Sequence, residues 1–228
     1  MSLEGQRIAI TGAFGSLGAA VVQAALEAGA QVAAIDRADA PAGVDLGHAK
    51  CFGGVDLSDT AQAQAAIDNA AKALGGLDAL VNIAGTFRFE TLADGSPETF
   101  DLLYRINLRT AVAASKAVLA HLPDGGRIIN IGAASALKAG AGVGAYAASK
   151  SGVMRFTESL AEELKERGIT VNAVLPSIID TPPNRKDMPK ADFDKWVKPA
   201  QLAGVIVFLL SDQASAITGA LIPVVGRV

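Results

Sequence analysis

Seven short runs rich in β-branched and apolar residues recur along this 228-residue chain, and longer alanine-rich stretches lie between them. A chain written this way has few folds open to it. Strands that alternate with helices form βαβ units, and each crossover makes neighbouring strands run parallel. The pattern predicts strands at 7–10, 31–35, 51–55, 79–83, 127–131, 170–174 and 221–225, with helices between them. No fixed-period repeat and no linker divides the chain, so residues 1–228 read as one domain. Half of the residues are hydrophobic, enough for a full core at this length. The expected class is α/β, a doubly wound parallel sheet of about seven strands with helices on both faces.

Charge and composition exclude several function classes. A net charge of −3 and a pI near 5.4 leave no basic surplus to hold a phosphate backbone, so nucleic acid is not an expected partner. Residues 1–7 contain no apolar run of signal-peptide type. The longest late apolar stretch, 202–210, is far short of the roughly 20 residues a membrane span needs. The expectation is a soluble, cytoplasmic protein without membrane contact. A single cysteine, Cys51, allows no disulfide within the chain and reads as a buried, inert thiol. His48 and His121 lack a second histidine or acid at ligand spacing, so no metal site is expected.

Three features carry chemistry. The first is Thr11-Gly12-Ala13-Phe14-Gly15-Ser16-Leu17-Gly18, between an apolar strand and a helix running to about residue 28. Glycines there let the backbone approach a pyrophosphate, whose charge meets the amides and positive end of the helix. The second is Asp36, after the second strand and about twenty residues beyond the glycines, where a carboxylate accepts both hydroxyls of an adenine ribose and repels a 2′-phosphate. The third is a helix from about 145 to 167 carrying Tyr146 and Lys150 one turn apart. Residues at i and i+4 share a helix face, and a cation beside a phenol favours phenolate, bringing a group that titrates near about 10 closer to working range.

Together with Asn82-Ile83-Ala84-Gly85 after the fourth strand, these features in this order make the chain resemble the short-chain dehydrogenase/reductase family along essentially its whole length. The resemblance implies a single-domain Rossmann fold and hydride transfer between a nicotinamide cofactor and a small molecule: a carbonyl or alcohol, or a conjugated C=N or C=O group. It implies Tyr146 as proton donor, Lys150 on the nicotinamide ribose, and Asn107 holding a proton-relay water. Cofactor contacts are implied for Gly12, Phe14, Gly15, Ser16, Leu17, Gly18, Asp36, Arg37, Asp56, Leu57, Asn82, Ala84, Gly85, Tyr146, Lys150, Pro176, Ile178 and Thr181. Asp56 reads equally as a cap for the following helix. Asp36 points to NAD(H); Arg37, a residue common in members that take NADP(H), makes that cofactor the second choice. Family members pair through the helices expected at 101–121 and 145–167, whose many small residues exceed one buried stripe, so a homodimer or homotetramer is expected.

The sequence departs from the family at two places. Ser16 stands where the middle glycine of the turn belongs. Ala133 stands thirteen residues before Tyr146, where the catalytic serine belongs, and Ser135 lies two residues further, roughly 7 Å along an extended segment. The dihydropteridine reductase branch also lacks that serine, and residues 174–196, with Asn184-Arg185-Lys186, Phe193 and Trp196, resemble its corresponding segment. Residues 176–198, with four prolines and mixed charge, read as a substrate-site loop docked by Phe193 and Trp196. Gly140, Gly142 and Gly144 read as flexibility near the substrate. Three functional readings follow: an NAD(H)-dependent oxidoreductase of a carbonyl or alcohol, a pterin reductase-like enzyme, and a non-catalytic NAD-binding sensor.

Overall fold

Strands β1 (Arg7–Thr11), β2 (Gln31–Ile35), β3 (Lys50–Phe52), β4 (Ala79–Asn82), β5 (Arg127–Ile131), β6 (Thr170–Pro176) and β7 (Leu221–Val224) form one sheet in the order β3-β2-β1-β4-β5-β6-β7. Every pairing is parallel. The computed structural model describes residues 1–39 and 46–228. Parallel neighbours need long crossovers. These carry α1 (Ser16–Glu27), α2 (Thr60–Leu74), α3 (Pro97–Leu103), α4 (Thr110–Val118), α5 (Gly144–Leu164), the short α6 (Pro182–Asp187) and α7 (Pro199–Leu210).

Period-two alternation decides which core each strand residue joins. Ile8, Ile10, Val32, Ala34, Val81 and Ile129 pack with α1 and α7 on one face. Ala9, Ala33, Ile35, Leu80 and Ile128 pack with α2, α4 and α5 on the other. With helices on both sides, β4, β5 and β6 are buried along their whole length, as parallel strands are. The order of the sheet reverses at β1, which pairs with both β2 and β4. A crevice opens there at the carboxyl ends, the place where open α/β sheets bind ligands.

Two expectations fail at the sheet edge. The third strand stops at Phe52 instead of 55, because Gly54 turns the chain with φ +73° and its amide donates to the Ala38 carbonyl. Cys51 is exposed rather than buried, since β3 is the outermost strand. Asp56 is not the cap of α2 either. Asp59 is, its Oδ1 accepting from the amides of Ala61 (2.8 Å) and Gln62 (3.1 Å). Among the described residues no helix is long and apolar enough to cross a membrane, and no cluster of three or more His, Cys, Asp or Glu could hold a metal ion.

Candidate active site

The turn after β1 is shaped by what has no side chain. Gly12 stands at φ +65°, and a Cβ there would lie 2.6 Å from the Ala84 amide nitrogen. A Cβ on Gly18 would collide with the Gly12 carbonyl, so the first turn of α1 sits directly against the loop. Helix α1 opens at Gly15 with no side-chain cap and no acidic residue in its first turn, whereas Asp59, Ser96 and Thr181 cap α2, α3 and α6. The first-turn amides of Ser16, Leu17 and Gly18 therefore lack side-chain acceptors at the positive end of the helix, and these residues fit a pyrophosphate. Leu17 is buried and Phe14 is half-buried.

Asp36 lies at the tip of β2, joined to this turn. Its Oδ2 accepts from the Phe14 amide (2.9 Å) and its Oδ1 from the Ala38 amide (3.0 Å). Arg37 is exposed beside it. The hydroxyl and amide of Ser58, at 2.7 and 2.9 Å from Asp56 Oδ1, hold the Asp56 carboxyl below its ordinary range, with smaller contributions from the charges of Arg37 and Arg105. Leu57 is buried.

Helix α5 carries Tyr146 and Lys150. Lys150 is buried, and its Nζ donates to the Ile131 carbonyl oxygen at the end of β5 (2.7 Å). Burial pushes Lys150 down to about 8 and the half-buried Tyr146 phenol up to about 12. The expectation that the i+4 cation by itself makes the phenol more acidic is thus corrected. The ammonium is turned to a carbonyl, and desolvation drives both groups toward neutrality.

Asn107 occupies a π-helical segment, Tyr104–Arg109, between α3 and α4. A π turn of this kind commonly marks a functional site, and it accounts for an asparagine inside a helix. The Thr86 amide donates to Asn107 Oδ1 (2.7 Å), Asn107 Nδ2 donates to Ser149 Oγ (2.9 Å), and Ser149 Oγ donates to the Tyr146 carbonyl (2.8 Å). A Cβ on Gly85 would lie 3.0 Å from Asn107 Oδ1 and 3.3 Å from Lys150 Nζ. Lys150, Asn107 and the turn of α5 bearing Tyr146 therefore converge on the loop after β4.

Asn82 Nδ2 donates to Ser115 Oγ (3.0 Å) and Asn130 Oδ1 (2.9 Å), and Asn130 Nδ2 donates to Thr157 Oγ1 (2.9 Å). That side chain ties the sheet to α4 and α5. Thr11 Oγ1 accepts from the amides of Ile83 (3.1 Å) and Ala84 (3.3 Å), holding the loop beside Gly12.

Ala133 is extended and buried, at 3% exposure, so a methyl group occupies the place of the family's serine hydroxyl. Ser135 would share a side with Ala133 only on an extended segment, and the segment is not extended there. It sits in a 3-10 turn, Ala134–Ala136, which turns it away from the register of Ala133. Gly142 stands at φ +75° with the Phe89 ring filling the space of a side chain. That glycine is there for close contact rather than flexibility, whereas nothing lies within 4 Å of the side-chain position of Gly140.

Residues 176–198 are more ordered than a loop. Pro176 ends β6, Ile178 accepts from the Val197 amide (3.0 Å), and Thr181 caps α6, accepting from Asn184 (3.4 Å). The Arg185 guanidinium pairs with Asp180 (2.5 and 2.8 Å) and lies over the Phe193 ring at 4.6 Å. Trp196 is buried, its ring 4.8 Å from Phe193.

Sequence reasoning gave no role to Thr11, Phe87 or Ser149. Thr11 directly precedes the glycines and Ser149 lies three residues after Tyr146, spacings that could have flagged both. Phe87 touches Tyr146 across the fold, with ring centroids 4.9 Å apart at 78°, and no local pattern announces it.

Residues 12–226 match the family model described as Enoyl-(Acyl carrier protein) reductase. The chain is 33% identical over 247 residues to 2-(S)-hydroxypropyl-CoM dehydrogenase 3 of Xanthobacter autotrophicus, covering 98% of this chain and 96% of that protein. It is similar to a blue fluorescent protein from a metagenomic library solved in complex with NADPH, at 34% identity and TM-score 0.91, covering 100% of this chain and 99% of that one. It is also similar to 3-ketoacyl-(acyl-carrier-protein) reductase from Brucella melitensis complexed with NADH, at 30% identity and TM-score 0.87, covering 99% of each chain. A seven-stranded parallel sheet, an uncapped glycine turn and a Tyr146–Lys150 helix accompany these matches along the full length: the chain belongs to the short-chain dehydrogenase/reductase family of oxidoreductases.

Proposed function

We propose that the protein is an NAD(H)-dependent oxidoreductase acting on a small carbonyl or alcohol, or on a conjugated C=N or C=O group, with Tyr146 as proton donor. The observation that carries this reading is the convergence of Lys150 and Asn107 on Gly85, with Asn107 linked through Ser149 to the Tyr146 carbonyl. A bound dinucleotide supplies or accepts the hydride. Its pyrophosphate suits the first-turn amides of α1, its adenine ribose suits Asp36, and its nicotinamide ribose suits Lys150. Tyr146 gives its proton to the substrate oxygen as the carbonyl π pair moves onto that oxygen. Lys150, aided by the positive charge of an oxidised nicotinamide, favours the tyrosinate left behind.

Asp36 supports NAD(H) over NADP(H), since a carboxylate there repels a 2′-phosphate. The two solved neighbours hold NADPH and NADH respectively, so the preference rests on the residue. A pterin reductase-like activity is the second reading, supported by Ala133: without a hydroxyl, an ordinary ketone loses one hydrogen bond, often worth about 2–4 kcal/mol in a transition state, and a quinonoid substrate with its own conjugated acceptor loses less. The intact Tyr146, Lys150 and Asn107 weigh against a non-catalytic sensor. A homodimer or homotetramer is supported by Phe100, Tyr104 and Val112, exposed along α3 to α4. The test is turnover of NADH with small ketones, quinones and quinonoid dihydropterin; tight NADH binding with no turnover of any of them would favour the sensor.

A further inference from the structure

Three loops follow β4, β5 and β6 at the carboxyl edge of the sheet; the first reaches Tyr146 through Phe87, and the second leads into the helix that carries it. Among the described residues, every exposed large apolar side chain outside the chain ends and the α3 to α4 face belongs to these loops: Phe87, Phe89, Leu92, Leu137 and Met188. An apolar concentration of this kind marks a binding surface.

Phe87 is distinctive within it. The residue is 54% exposed while its ring centroid stays 4.9 Å from that of Tyr146 at 78°. The backbone on both sides is held. Before it, the Thr86 amide donates to the buried Asn107 (2.7 Å); after it, the Glu90 amide donates to the Gly142 carbonyl (2.8 Å), and Phe89 fills the space over Gly142. An apolar ring held this firmly in water, beside the proton donor, has a face left for a ligand. Ala133 adds a buried methyl where a hydrogen-bond donor would serve an isolated carbonyl.

We infer that Phe87 is a specificity-determining residue, the platform on which a planar aryl ketone or aldehyde stacks with its carbonyl beside the Tyr146 phenol. The inference rests on the proposed redox reading and narrows it to a substrate class. An aryl ring gains the stacking contact on Phe87; a saturated ring of the same size does not. In reduction, the nicotinamide hydride forms the new C–H bond at the carbonyl carbon, the C=O π pair moves to oxygen, and oxygen takes the Tyr146 proton. The products are a benzylic alcohol and the oxidised cofactor.

The test compares matched pairs with NADH, acetophenone against cyclohexyl methyl ketone and benzaldehyde against cyclohexanecarbaldehyde, in the native enzyme and in Phe87→Leu and Phe87→Tyr. The native aryl-over-cyclohexyl ratio in kcat/KM is expected to be about tenfold, and an aromatic contact is worth roughly two- to tenfold of it. Phe87→Leu should lose that part and Phe87→Tyr should keep it. Any disturbance of Tyr146 cancels in the ratio, because both substrates use the same proton donor. No preference in the native enzyme, or a preference unchanged in Phe87→Leu, overturns the platform. If neither pair turns over, the same ratio is read from binding of benzamide and cyclohexanecarboxamide to the NADH complex, followed by nicotinamide fluorescence. An aryl preference lost in Phe87→Leu then supports the platform while the failed turnover counts against the redox reading. Equal binding, or none, overturns the platform.

Discussion

The buried Lys150 ammonium donates to the Ile131 carbonyl oxygen at 2.7 Å, joining the middle of one helix turn to the end of a central strand. Burial holds this lysine at about 8, and stability should reflect it. Below pH 8 the group is charged in both the folded and unfolded chain, and its burial opposes folding. Between pH 8 and about 10.4 the unfolded chain binds the extra proton, so stability rises with pH across this window and the opposition is gone above it. Lys150→Met is expected to be more stable than the native protein by on the order of 1–3 kcal/mol at pH 7, with the gap closing by pH 10. Urea unfolding at both values checks this, and an unchanged gap rejects it.

Tyr146→Phe should lower turnover by about 10²–10⁴-fold and leave NADH affinity within about twofold, because the ring remains and only the proton is lost. The phenol stands at about 12 without cofactor, too high for a useful base. Alcohol oxidation needs tyrosinate, so its rate should rise with pH through an apparent pKa below the free-tyrosine value of about 10, once Lys150 and the oxidised nicotinamide lie near the phenol. A profile still rising beyond that value would show that they do not act on Tyr146.

Ser135→Ala should change turnover by less than about twofold, since the 3-10 turn takes Ser135 off the register of Ala133. Ala133→Ser should raise reduction of saturated ketones by about tenfold or more, restoring part of a contact worth about 2–4 kcal/mol. Steady-state rates of the two variants decide the matter. A hundredfold loss in Ser135→Ala, with the fold intact by circular dichroism, would mean that the serine has moved along the chain instead of disappearing.

NADH should bind at least about tenfold more tightly than NADPH, roughly 1.4 kcal/mol. Asp36→Ala should narrow the gap, and it should also weaken NADH, because the Phe14 and Ala38 amides lose their acceptor. Fluorescence titration of both cofactors measures each effect; equal affinities in the native protein refute the assignment.

Light scattering should give a mass at two or four times 23.1 kDa. Tyr104→Glu, on the exposed apolar face of the π segment, should shift the mass toward the monomer. A native monomer in dilute solution contradicts the expected pairing.

How far the sequence could be read follows from the range of each interaction. Ile8 and Ile10 alternate with Ala9 because a strand repeats every two residues, and Asp59 caps its own helix from one position away. Such relations lie within a few residues, so the strands and the helices α1 and α5 were legible to within about three residues, whereas α6 falls in a segment read as loop. Gly12, Asp36, Tyr146 and Lys150 were legible as candidates for the same reason: each motif sits on one turn or one helix face.

What the sequence by itself determined is therefore the α/β alternation, the glycine turn and the Tyr146–Lys150 helix, all set by neighbours along the chain. Tertiary structure alone decided what depends on distant segments. Cys51 is exposed because β3 ends up at the edge of the sheet. Lys150 turns to Ile131 because β5 passes beneath its helix. Asn107 reaches Ser149 through a π turn that the propensity of its residues does not announce. Phe87 meets Tyr146 only when the loop after β4 is laid against α5. Contacts between elements far apart in sequence leave no periodicity to read, because it is packing, not local backbone preference, that selects them.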